Sequence, residues 1–146
     1  MLCGTLTGQH LYVDASSSCN TINSIISSND ATTSREWSIK VTQIECSNAL
    51  LPPSGCLQYY TGTSGTMYNF GWVAATDFES KSSTYHLNNQ DYTMCIRREE
   101  GYCSMEYTAK KDAGFGISAE PTANPPAAAF GETACSSTDY IIIPGK

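Results

Sequence analysis

Two pairs of cysteines stand close together in this chain: Cys46 with Cys56, and Cys95 with Cys103, bracketing the turn-rich segments 48–55 and 97–102. Thiols at such spacing can cross-link, hold a metal or react. Zinc sites use Cys-x-x-Cys or closely set histidines, and neither spacing occurs here. Cross-linking is the expectation, and closing a loop of about ten residues stabilises by roughly 2–3 kcal/mol in the chain-entropy account. The cysteines number seven, so one thiol is left over or pairs outside the chain. Cys135 is assigned that role. Cys3 pairs with Cys19, or equally with Cys135 or an upstream partner.

Other reactive constellations are sparse. His10 and His86 are the two histidines, the residue type suited to proton transfer near neutral pH. No Gly-x-Ser-x-Gly elbow accompanies them, although triads can assemble from distant positions. Enzymatic activity is not expected. The acidic residues Glu45, Asp77, Asp91 and Asp139 are dispersed, without the Asp-x-Asp-x-Asp-Gly loop that sets calcium geometry. No metal and no cofactor are expected.

Recognition is better represented. Nine tyrosines, with Trp37 and Trp72, offer amphipathic surfaces of the kind enriched at protein interfaces, though some must pack in the core. Tyr59 and Tyr60 are adjacent, so in a strand they point to opposite faces and one is available for contact. Arg97, Arg98, Glu99 and Glu100 form a charged turn, read as a solvated hairpin tip or a contact loop. The expected partner is an extracellular protein or matrix component. Nucleic acid is not, because eight Lys and Arg against fourteen Asp and Glu give a net charge of −6 and no basic stripe for phosphates.

The elements that must position these residues read as strands. Residues 9–14 form a candidate first strand, while Ile22, Ile25 and Ile26 fit a helical turn or a strand equally. Trp37, Ile39 and Val41 alternate with polar neighbours, as do Tyr68, Phe70 and Trp72. Pro52, Pro53 and Gly55 turn the chain before a strand at 57–61. Tyr92, Met94 and Ile96 mark another, followed by a turn at 99–101 and a return strand through Cys103, Met105 and Tyr107. Phe115 and Ile117 suggest a short strand, and the apolar run 140–143 a buried one. Residues 119–134 are a Pro- and Ala-rich loop or linker. The pattern predicts an all-β, disulfide-stabilised sandwich or jelly roll.

At 146 residues the chain matches one domain. Its 15% charged residues fall well below the roughly 25% usual in soluble domains. With the cysteines, this points to a secreted, extracellular protein. The first residues lack the features of a secretory leader, so a piece of a longer chain is expected. The longest apolar run is far short of the ~20 residues that span a bilayer, and membrane insertion is not expected.

Taken together, Cys3-Gly4, Trp37-Ser38-Ile39, Cys46, the string from Gly55 to Tyr60, His86-Leu87 with Gln90-Asp91-Tyr92, Cys95 to Arg98, Gly101-Tyr102-Cys103 and the string from Asp139 to Gly145 resemble the divergent CUB-like domains of arthropod secreted proteins. The resemblance covers nearly the whole of 1–146. It implies an antiparallel β-sandwich, an extracellular location and a non-enzymatic protein-binding role in recognition or adhesion. Many CUB domains bind calcium through an Asp in a Cys-x-Tyr-Asp string, which Cys56-Leu57-Gln58-Tyr59-Tyr60 lacks. The rival readings are a structural or self-assembling matrix component, with homo-oligomers joined through Cys135, and a calcium- or carbohydrate-dependent recognition module.

Overall fold

The computed structural model describes residues 2, 6, 8–26, 36–71, 89–109 and 139–144. The chain divides into two compact units, Met1–Tyr102 and Cys103–Lys146. In the first, the chain enters its first strand through a turn in which the Cys56 amide donates to the Pro53 carbonyl at 3.2 Å. Gly55 takes φ of 87° there, the left-handed conformation that the third residue of such a turn requires and glycine adopts freely. Strand β1, Cys56–Tyr60, follows at once. Strand β2 is Thr93–Ile96, and Tyr59, Tyr60, Thr93 and Ile96 are of the types that favour a pleated, half-buried surface.

The two strands pair in parallel, Cys56 opposite Thr93, Tyr59 opposite Cys95 and Tyr60 opposite Ile96, with the register slipping between Cys56 and Gln58. Parallel neighbours need a long crossover, which residues 61–92 provide. The antiparallel sheet expected from the sequence is therefore not what the assigned strands form. The expected hairpin required β2 to pair with the returning segment 103–107, which forms no strand. The described residues contain strands and no helix.

Alternation along β1 buries Cys56 and Gln58 on one face. Phe70, 2% exposed, completes the buried set among the described residues, with its ring 4.9 Å from that of Tyr92. Gln58 is the polar member. Its Nε2 donates to Gln9 Oε1 at 3.1 Å and to the His10 carbonyl at 3.5 Å. Gln9 Nε2 in turn reaches the Asn69 carbonyl at 3.3 Å. This chain of amides offsets the cost of burying Gln58, although its Oε1 finds no partner among the described residues.

Segment 9–14 lies beside β1 in the opposite direction. The Tyr12 amide donates to the Leu57 carbonyl at 2.8 Å, and Ser54 Oγ donates to Asp14 Oδ2 at 2.8 Å. One backbone bond is not a ladder, so the segment expected as a first strand is an accompanying stretch. The expected strands at 37–41 and 103–107 are also absent. Trp37 is 69% exposed and Val41 70%, because alternation specifies which face seeks burial but supplies no partner to bury it. The run 140–143, expected to be buried, is exposed for the same reason. Tyr68 and Phe70 belong to no strand. Trp72, Phe115, Ile117 and 119–134 lie outside the described residues.

The disulfide expectations need correction. Cys56 is joined to Cys95, across the strand pair, with Cα atoms 5.6 Å apart, within the range a bridge demands. Cys46 and Cys103, the expected mates, are exposed free thiols, and so is Cys19. Closeness in sequence lowers loop-closure entropy only logarithmically, whereas facing strands bring two Cβ atoms into range directly. Cys3 and Cys135 lie outside the described residues. Replacing Cys56 and Cys95 together by serine is expected to lower stability by about 2–5 kcal/mol in urea unfolding, while Cys103→Ser changes it little.

Candidate surface at the end of the strand pair

The parallel register has a direct consequence for the candidate contact residues. Both strands run the same way, so the residues leaving β1 and those leaving β2 emerge at the same end of the sheet. Tyr60 stands opposite Ile96, and the Arg97 amide donates to the Tyr60 carbonyl at 2.9 Å. The tyrosine pair and the charged turn, distant in sequence, thus become neighbours.

The charged turn divides by function. Arg97 Nε and Nη2 donate to Glu99 Oε1 at 3.0 and 2.9 Å, and Nη2 also reaches Oε2 at 3.1 Å. Glu99 Oε1 accepts a further bond from the Gly62 amide at 2.7 Å, where Gly62 takes φ of 99°. The carboxylate therefore ties the turn after β1 to the turn after β2. The Gly62 amide, and then the Arg97 side chain, hold the Glu99 pKa below its ordinary value. The Tyr102 amide closes the turn onto the Glu99 carbonyl at 3.2 Å. Arg98 and Glu100 remain exposed. Of four residues expected at a solvated tip, two are engaged internally.

The tyrosines also separate. Both are half-buried. The Tyr60 ring lies edge-on to His10 at 5.1 Å, and Tyr59 edge-on to Tyr12 at 6.3 Å, with His10 and Tyr12 5.7 Å apart. Burial raises the Tyr60 pKa, while its hydroxyl accepts a hydrogen bond from the Tyr68 amide, which acts in the opposite sense; nearby Tyr92 adds to the rise. Burial likewise raises Tyr92, whose hydroxyl accepts from the Phe70 amide. Tyr60 and Tyr92 therefore pin segment 68–70, whereas Tyr59 has no such bond among the described residues.

His10 is exposed beside Tyr60, and Glu45, Asp91 and Asp139 are exposed, while His86 and Asp77 lie outside the described residues. No group of three His, Cys, Asp or Glu that could hold a metal ion occurs among the described residues. No helix among them is long and apolar enough to cross a membrane. Sequence reading missed Gln58, Gln9 and the Gly62–Glu99 bond. Glutamine in a strand reads as a surface residue, and a backbone donor 37 residues away leaves no sequence signal.

Two measurements check these assignments. Tyr60→Phe removes the acceptor of a backbone amide and is expected to cost about 1 kcal/mol, whereas Tyr59→Phe is near neutral in the same unfolding assay. Glu99 has its pKa depressed by folding, so its contribution is present above the unfolded value and is lost as pH falls through the lower folded one. Glu99→Gln should therefore be less stable than the parent at neutral pH, and the two should converge only as pH falls through the depressed folded pKa of Glu99.

The comparisons bear on residues 53–146, which match the family model for the animal CUB domain. Neither a curated protein nor a solved structure matches the chain at a significant level. Domains of this family are generally extracellular, non-enzymatic modules that bind other proteins, and the bridge between Cys56 and Cys95 is consistent with an oxidising compartment. The matched stretch takes in both strands, the bridge and the charged turn, and covers well over half of the sequence: the chain belongs to the animal CUB domain family.

Proposed function

We propose that this chain is a single CUB-like domain of an arthropod secreted protein and serves recognition or adhesion, with the end of the β1–β2 pair as its contact surface. The partner is an extracellular protein or matrix component. One observation carries this reading: Tyr59, Tyr60 and 97–100 converge at one strand end, where Glu99 bonds to both turns. A surface held in this way loses little ordering entropy on contact. Arg98, Glu100 and Tyr59 are the contact residues, whereas Arg97, Glu99 and Tyr60 support them. Arginine and tyrosine are the types over-represented among residues that dominate binding energy.

The test begins with an extracellular partner captured on the immobilised chain and compares variants by surface plasmon resonance. Arg98→Ala, Glu100→Ala and Tyr59→Ala are expected to weaken binding, with at least one losing about 1–2 kcal/mol, at an unchanged urea midpoint. Should all three bind as the parent does, the contact surface lies elsewhere.

A further inference from the structure

We propose that the segment around Ser38 pairs with the same segment of a second copy of this chain, as two antiparallel strands related by a two-fold axis at Ser38. Residues 36–45 run without helix, turn or bend, and 36–43 are exposed throughout. No hydrogen bond or ion pair engages 36–43 among the described residues, so their amides and carbonyls are available to a partner strand. Trp37 and Val41 stand in solvent, and Ile39 between them is 55% exposed. The stretch precedes residues 53–146, which match the family model.

In an extended chain Trp37, Ile39 and Val41 share one face, and Glu36, Ser38 and Lys40 the other. For two copies to join their apolar faces, odd-numbered residues must oppose odd-numbered ones, since a slip by one residue turns every side chain over. Centring the pair on Ser38 sets Trp37 opposite the second copy's Ile39, and Glu36 opposite its Lys40. Symmetry makes each contact twice. Aromatic with β-branched and acid with base are both favourable cross-strand pairs.

Charge selects this register over its neighbours. Centring on Lys40 would set two lysines directly opposite each other, which is destabilising. Centring on Ile39 would leave Glu36 opposite Thr42 and Lys40 opposite Ser38, with neither charge facing its counterpart. One acid and one base placed evenly about Ser38 make the segment complementary to itself, which is why a second copy is the occupant. Pairing covers Trp37 and Ile39 of both copies. It uses none of the residues at the end of the β1–β2 pair, so the contact surface proposed there stands or falls separately.

The experiment uses the full chain at physiological salt, where a Debye length of about 8 Å screens the overall charge of −6. Free thiols are capped with N-ethylmaleimide, so that no new disulfide joins the copies. Sedimentation equilibrium over a concentration series is expected to show monomer and dimer in exchange. Glu36→Lys and Lys40→Glu each set like charges opposite each other twice and should weaken association roughly tenfold. Mixing the two variants in equal amounts should restore it, because each supplies the charge that the other lacks. Ile39→Ser should weaken it as well, and circular dichroism checks that every variant keeps the parent's fold. A chain that stays monomeric at all concentrations, the outcome if another segment or a different protein covers this face, overturns the proposal. So does a dimer that neither charge reversal weakens, or a mixture that associates no better than its components.

Discussion

The bond between Cys56 and Cys95 sets the geometry on which the other contacts of the first unit rest. Two strands of four and five residues share few hydrogen bonds, and an isolated two-stranded sheet is marginal in water. A covalent link at the start of β1 limits how far the strands can separate. It also removes conformational freedom from the unfolded chain. With the strands held, the Tyr60 carbonyl meets the Arg97 amide, and everything beyond that bond is carried to one end of the sheet.

The interior beneath this end is unusual in its chemistry. Gln58 is wholly buried, and amides rather than aliphatic side chains link β1 to Gln9 and Asn69. Aromatic rings accompany that core in two sets of contacts: Phe70 with Tyr92, and His10, Tyr12, Tyr59 and Tyr60 edge to face. Tyrosine suits such a place because its ring excludes water while its hydroxyl satisfies a backbone amide. Apolar packing and polar satisfaction are thus supplied by the same residues. That economy fits a chain poor in charge and rich in tyrosine.

Glu99 shows why a run of charges cannot be interpreted from composition alone. Arg97, Arg98, Glu99 and Glu100 look equivalent in sequence, yet Arg97 and Glu99 are half-buried against each other while Arg98 and Glu100 are exposed. An exposed ion pair contributes little by itself. Here the carboxylate also accepts the Gly62 amide, so its value lies in joining two turns. The same division separates the supporting Tyr60 from Tyr59.

Local chemistry determined much of what the sequence could reveal: a turn wherever Gly55 and Gly101 permit positive φ, the strands around Leu57 and Met94 and the prevalence of β structure each depend on residues within a few positions of one another, while the kinship with CUB domains lies in a series of such short strings along the chain. Only the tertiary structure decided that β1 and β2 run in parallel, that Cys56 bonds to Cys95 instead of Cys46, and that glutamine occupies the interior. Those outcomes depend on which distant segments meet. Short-range preferences are nearly indifferent to that choice, because loop-closure entropy changes slowly with separation while a facing sulfur or a buried acceptor acts over a few ångströms.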